Sequence, residues 1–169
     1  MVSFAYSAPE IRVNVLFLRD TASLYAADDR EGPPEAFLAP STEHAAGVDL
    51  RADLQDELTV EPGARVSIPT GIAIEPLVSG IAGFVYSRSG LGAKQGLTVA
   101  QGVGVIDPDY RGELTVWLLN TSGNPITVHR GDRIAQLIFQ PFRRPRFTRV
   151  DRLGDTLRGS GGFGHTGMR

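Results

Sequence analysis

From Ala45 onward the chain alternates apolar and polar positions in short runs: "VDLRA", "LTV", "ARVSI", "GIAIE", "IAGFVY", "LTVA", "LTVWLL", "ITV", "RIAQLIF" and "FTRV". A period of two over a few residues, rich in β-branched and aromatic side chains, predicts half-buried strands. Strands this short and evenly spaced predict a sandwich or barrel, and no βαβ alternation interrupts them. Pro62-Gly63, Ser122-Gly123-Asn124-Pro125 and Arg130-Gly131-Asp132 fall between runs and read as hairpin turns. Val13 to Leu18 reads as a first strand. Flanked by Arg12 and by Arg19-Asp20, it is too short for a signal-peptide core or a spanning helix. Asp20 to Ser41 contains Gly32-Pro33-Pro34 and reads as a long surface loop, with room for a short helical piece. Within the body only Ser89 to Lys94 suggests a helical turn.

The length of 169 residues is enough for one self-sufficient core, and 41% hydrophobic with 21% charged residues is globular in balance. Residues 1–157 are expected to form a single domain. Residues 158–169, half of whose first ten are glycine, are expected to form a flexible arm. The net charge of -2, with both signs scattered, predicts no nucleic-acid partner and no membrane surface, so an anionic ligand must meet a local cluster. The absence of cysteine removes disulfides and thiolate chemistry and fits a reducing compartment, with a cytoplasmic protein as the simplest reading.

The glycine patterns "GVGVID" and "GLGAKQG" stand outside any strand-loop-helix unit, and GxxxxGK[ST] is missing, which argues against dinucleotide or P-loop chemistry. His44, His129 and His165 have no metal-ligand spacing, no GxSxG elbow is present, and "RGD" at Arg130 reads as a turn. The densest constellation is Tyr86 to Asn120. Arg88 and Ser89 follow a strand and precede Gly90, where a guanidinium, a hydroxyl and main-chain amides can converge on a phosphate. Asp107 ends a small apolar strand before Pro108-Asp109-Tyr110-Arg111-Gly112; on spacing alone it is either a turn-capping aspartate or a functional carboxylate.

Five stretches, in order, resemble the motifs of the trimeric dUTPases: "AGVDLRA" from Ala46, "SRSGLGAKQG" from Ser87, "GVIDPDYRGEL" from Gly104, "RGDRIAQLIF" from Arg130 and "RGSGGFGHTG" from Arg158. The resemblance implies an all-β, jelly-roll-like distorted β-barrel. It also implies a homotrimer whose sites are shared between subunits, and hydrolysis of dUTP to dUMP and pyrophosphate with Mg2+. Asp107 then matches the general base that activates water for in-line attack at the α-phosphorus. Arg88, Ser89 and Gly90 match the phosphate-contacting segment, Gln136 a glutamine that helps position phosphate, and Asp49 a supporting or purely structural aspartate. Lys94 and Arg111 are expected to pack or to meet a neighbouring subunit.

The resemblance also assigns base recognition to a hairpin, Gln101 to Tyr110, whose Gly104, Val105 and Ile106 offer main-chain groups to uracil. Tyr110 would lie against the deoxyribose and exclude a 2′-hydroxyl. On the arm, Phe163 would stack on uracil while Arg158, Gly164, His165 and Thr166 close over the phosphates. No protein ligands are expected for magnesium, a hard ion that the phosphates and water can hold. Three positions depart from the commoner pattern: Ser87 where proline often precedes the arginine, Gln101 where asparagine is frequent, and His165 in place of a small hydroxyl residue. The related dCTP deaminases carry a glutamate near the position of Trp117, which cannot shuttle a proton. A non-catalytic module on the same fold would not need Asp107.

Overall fold

The computed structural model describes residues 10–26, 38, 40–42 and 44–162. Among them the order is β1 (Val13–Phe17), α1 (Ala22–Tyr25), β2 (Val48–Arg51), β3 (Leu58–Val60), β4 (Arg65–Pro69), β5 (Ile72–Pro76), β6 (Ile81–Tyr86), a π-helical turn (Gly90–Gln95), β7 (Leu97–Val99), β8 (Val103–Ile106), β9 (Thr115–Asn120), β10 (Ile126–Val128) and β11 (Arg133–Pro141). The architecture is all-β, as expected. The strands form the sheets β1-β5, β10-β3, β2-β11-β6-β8 and β4-β9-β7 around one apolar cluster.

Alternation decides which side chains face that cluster. In β9, Val116, Leu118 and Asn120 are buried while Thr115 and Trp117 face out. Leu50, Ile68, Ile72, Leu97, Leu114 and Ile134 are all but fully buried. At about 1.5–3 kcal/mol each, such side chains supply the main drive to close the barrel. Asn120, the one buried amide side chain among the described residues, is fully paired: Nδ2 donates to Val60 O (2.8 Å) and Asn124 O (2.7 Å), and Oδ1 accepts from the Ser122 amide (2.9 Å).

Several expectations are corrected. The turns at Pro62-Gly63, Ser122–Pro125 and Arg130–Asp132 are not hairpins, because each joins strands of two different sheets. The reversal between β7 and β8 is likewise tight, with the Gly102 amide donating to Val99 O (3.0 Å), yet β7 pairs with β9 and β8 with β6. "FTRV" is not a strand: Phe147 and Val150 are exposed on an irregular segment. The stretch from Asp20 is anchored at its start, since Thr21 is fully buried and Tyr25 on α1 lies in the core; residues 27–37 of it lie outside the described residues. The Tyr25 hydroxyl donates to Thr70 O (2.9 Å) and accepts from the Arg51 amide (3.1 Å). Burial pushes this phenol up to about 12.

Four segments are clamped by charge below α1. Asp53, whose side chain is 6% exposed, receives Arg19 Nε (2.6 Å) and Arg130 Nη2 (3.1 Å), and Arg19 also pairs with Glu113. Hydrogen bonds from the Arg19 guanidinium to Glu113, then to Asp53, raise its pKa further above the usual arginine range. After β11 the Phe142 amide donates to Gly80 O (2.9 Å), and then the chain leaves the body: residues 143–160 are all exposed. This departure begins well before the expected boundary at residue 158. Among the described residues no helix is long and apolar enough to cross a membrane.

Candidate active site

The sheet β2-β11-β6-β8 positions the site residues. Gln136 on β11 stands directly opposite Asp49 on β2 and Tyr86 on β6, so one row crosses three strands on one face. Arg88 and Ser89 continue from the end of β6, and Gly90 opens the π-helical turn. Asp49, Arg88, Ser89, Gly90 and Gln136, all candidates from sequence, thereby line one cavity of about 230 Å³.

Its polar groups are tied to one another. Arg88 Nε donates to Asp49 Oδ1 (2.7 Å), and Arg88 Nη1 to the main-chain oxygen of Arg133 (3.2 Å). Arg133 Nη1 lies 3.5 Å from the other Asp49 oxygen. Gln136 Nε2 donates to Ser87 O (3.0 Å). Two guanidinium groups thus face the cavity against one carboxylate whose two oxygens are both engaged, which leaves a net positive site suited to a polyanion.

Arg133 was missed in the sequence. Three residues from Gln136, it would point to the opposite face of a regular strand. An irregularity in the β11–β2 ladder between Arg133 and Ala135 brings both into the same cavity. Ser87, noted only as a departure, also has a structural part: its Oγ accepts from the Val99 amide (2.8 Å) and lies 2.6 Å from Thr98 Oγ1.

A second group sits at β8 and the turn after it. Gln101 is exposed at the reversal into β8, and its Nε2 lies 3.3 Å from where a Cβ on Gly104 would stand; Val85 Cβ is 3.2 Å from the same point. A side chain there would have to push Gln101 or Val85 aside by a few tenths of an ångström. Among the described residues β8 is an edge strand, so the main-chain groups of its outer side, along Gly104, Val105 and Ile106, are not used by another described strand. Asp107 follows, exposed, its carbonyl accepting the Tyr110 amide (3.1 Å). Tyr110 lies over Gly112, whose missing Cβ would fall 2.6 Å from Tyr110 Cζ, and its hydroxyl donates to Glu113 O (3.1 Å).

Arg111 braces this turn. Nη1 donates to Pro108 O (2.7 Å) and Tyr110 O (3.1 Å), and Nη2 to Glu75 Oε1 (3.0 Å). The other Glu75 oxygen receives Asn14 Nδ2 (2.8 Å); that hydrogen bond, with Arg111, holds the Glu75 carboxyl below its ordinary range. Lys94 is exposed on the π-helical turn.

The two groups are far apart along the sheet of this chain. Val103 stands opposite Tyr86; Arg88 lies two residues beyond Tyr86, and Asp107 four residues beyond Val103 in the other direction. At ~3.3 Å per residue this is about 20 Å along the sheet. Arg158 is equally remote in its contacts: exposed, it donates from Nε only to the nearby Gly161 O (3.0 Å). Phe163, Gly164, His165 and Thr166 lie outside the described residues.

An all-β barrel with a cationic, arginine-lined cavity at the end of one sheet and a carboxylate turn at the end of an edge strand defines a protein built to hold and act on a polyanion. A family model described as dUTPase matches residues 35–167, and the chain belongs to that family. It is 54% identical over 128 residues to a deoxyuridine 5'-triphosphate nucleotidohydrolase of Desulfitobacterium hafniense (strain DSM 10664 / DCB-2), covering 76% of this chain and 85% of that relative. It is 41% identical over 152 residues to the protein of that name from Shewanella amazonensis, covering 90% of this chain and all of the relative. Among solved structures, a Staphylococcus bacteriophage 80alpha dUTPase with dUPNHPP shares the fold, with a TM-score of 0.75 and 23% identity over 92% of this chain and 98% of that one.

Proposed function

We propose that this chain hydrolyses dUTP to dUMP and pyrophosphate, which keeps uracil out of DNA and supplies dUMP for thymidylate synthesis. The observation that carries the reading is the convergence of Arg88, Ser89, Gly90 and Gln136 on one positively charged cavity. That cavity takes the phosphates. Asp107, exposed and held on a braced turn, removes a proton from water as the oxygen attacks the α-phosphorus in line with the α,β-bridging oxygen. As that bond breaks, charge grows on the departing pyrophosphate, where Arg88 stabilises it.

Base and sugar are read elsewhere. The free outer side of β8 offers main-chain donors and acceptors to the uracil edge, a pattern that cytosine inverts. Gln101 lies beside that main chain, and Tyr110 closes the space a 2′-hydroxyl would need. The phosphate cavity and Asp107, about 20 Å apart in one subunit, act together when neighbouring copies supply them. A homotrimer with shared sites is the arrangement the dUTPase family resemblance implies. The exposed segment after Pro141 supports it: Phe147, Leu153 and Leu157 are 91%, 81% and 109% exposed and find no cover among the described residues. The arm from Arg158 through Phe163, Gly164, His165 and Thr166 then closes over the nucleotide.

Magnesium fits as an ion carried on the substrate. Asp49, the carboxylate of the phosphate cavity, has both its oxygens engaged by arginines. When bound to the triphosphate, the ion supplies neutralisation of phosphate charge. Arg88, Arg133 and Gln136 orient the phosphates. The cytoplasm is the location we assign.

The test is incubation of the full chain with dUTP, dCTP, dTTP and UTP, with and without magnesium, while pyrophosphate and nucleoside monophosphates are measured. Pyrophosphate and dUMP should form from dUTP alone, and Asp107→Asn should lower the rate by about 10²–10⁴-fold. Failure to cleave dUTP refutes the reading, and release of ammonia from dCTP would establish a deaminase instead.

A further inference from the structure

Arg88 is held at its guanidinium by Asp49 and at its carbonyl by the Gly92 amide (2.7 Å), but the residue before it belongs neither to β6, which ends at Tyr86, nor to the π-helical turn, which begins only at Gly90. Ser87 stands in this gap. Its hydroxyl reaches β7, the edge strand of the sheet β4-β9-β7. There it accepts the amide of Val99, a residue only 2% exposed, and shares a 2.6 Å hydrogen bond with Thr98 Oγ1. Its carbonyl is taken by Gln136 Nε2 (3.0 Å) from β11. The residue directly before Arg88 is therefore fixed by its side chain to one sheet and by its main chain to another.

We propose that Ser87, with Thr98, is a positioning residue that sets the place of Arg88 and Ser89 for the phosphates, acting through the main chain rather than by touching substrate. The proposal rests on the reading of the Arg88 cavity as the phosphate site. The clip acts on that half alone: Ser87 and Thr98 are part-buried and lie outside the residues that line the cavity. Removing the hydroxyl leaves the Val99 amide without its acceptor and frees the strand-to-turn junction to shift. A displacement on the order of 1 Å is enough to spoil a charge-assisted contact.

The experiment is calorimetric titration of the full chain with pyrophosphate and, separately, with deoxyuridine, for the wild type, Ser87→Ala, Thr98→Val and Ser87→Thr, beside steady-state dUTP hydrolysis. In Ser87→Ala the Kd for pyrophosphate should rise about tenfold, the worth of one charge-assisted hydrogen bond, while that for deoxyuridine stays within about twofold. Hydrolysis should lose kcat more than KM. Ser87→Thr, which keeps the hydroxyl, should restore both. Thr98→Val, which leaves the Val99 bond in place, should give the same selective loss in smaller degree and decides the matter if Ser87→Ala does not fold. Unchanged pyrophosphate binding, or equal weakening of both ligands, overturns the clip. A wild type that binds no pyrophosphate overturns the phosphate reading itself, and the proposal with it.

Discussion

Two inactive variants should restore each other's activity. Arg88→Ala removes the main cation of the phosphate cavity, and Asp107→Asn removes the base. The β6–β8 register separates these residues by about 20 Å, far beyond the reach of a carboxylate acting through one water on a phosphate held at Arg88. On the proposed homotrimer reading, a working site therefore draws Arg88 from one subunit and Asp107 from a neighbour. In trimers assembled at random from equal amounts of the variants, about a quarter of such junctions carry both intact residues, so the mixture should recover about a quarter of wild-type activity. The assay is co-refolding or co-expression of the two chains, followed by pyrophosphate release from dUTP, with each variant alone as the background. A mixture no more active than the sum of its components would refute the shared site.

Gly112→Ala should drive the new Cβ into the Tyr110 ring and displace it; kcat/KM for dUTP should fall about tenfold or more and the preference for dUTP over UTP should narrow, with unchanged selectivity showing that Tyr110 does not gate the sugar. Tyr25→Phe should cost about 1–3 kcal/mol by leaving the buried Thr70 carbonyl without the hydroxyl that bonds it, measured by urea unfolding. Because folding raises the Tyr25 pKa to about 12, its contribution is complete below about pH 10 and is lost as pH rises through the folded value; an alkaline decline as steep in the variant as in the wild type would contradict this. Glu75 is shifted down on folding, so its contribution is present above the ordinary carboxylate range and lost as pH falls through its folded value. Wild type should therefore melt above Glu75→Gln at about pH 7, and the gap should close as pH falls below the ordinary carboxylate range.

Alternation along the chain was enough to find the strands, because burial on one side imposes a period of two and few other arrangements of Val, Ile and Leu do so. Pairing was not legible. A turn at Pro62-Gly63 or Arg130–Asp132 has the same composition whether the chain folds back on its own strand or passes to another sheet. "FTRV" has strand-like residues but meets no sheet edge among the described residues, so propensity alone misled. Thr21 and Tyr25 are buried although they open a stretch whose Gly and Pro read as surface loop, since two side chains suffice to pin a loop when their hydroxyls find carbonyls. The motif residues Asp49, Arg88 and Gln136 were readable as chemistry. Arg133 was hidden by a ladder irregularity that leaves no mark in composition, and the distance to Asp107 emerges only from the β6–β8 register.

The ladders also set the order in which this molecule can come into being. Each joins strands with others between them in sequence: β1 with β5, β3 with β10, and β2 with β11. A chain emerging from its N-terminus must therefore hold β2 unpaired until Arg133 to Pro141 has been made, and long loops must close before any contact rewards them. The phosphate cavity, which needs β2 and β11 together, is among the last features to form. A chain cut short before β11 has neither a closed barrel nor a place for Asp49 and Gln136 to meet, and it exposes the strand edges from which aggregation starts.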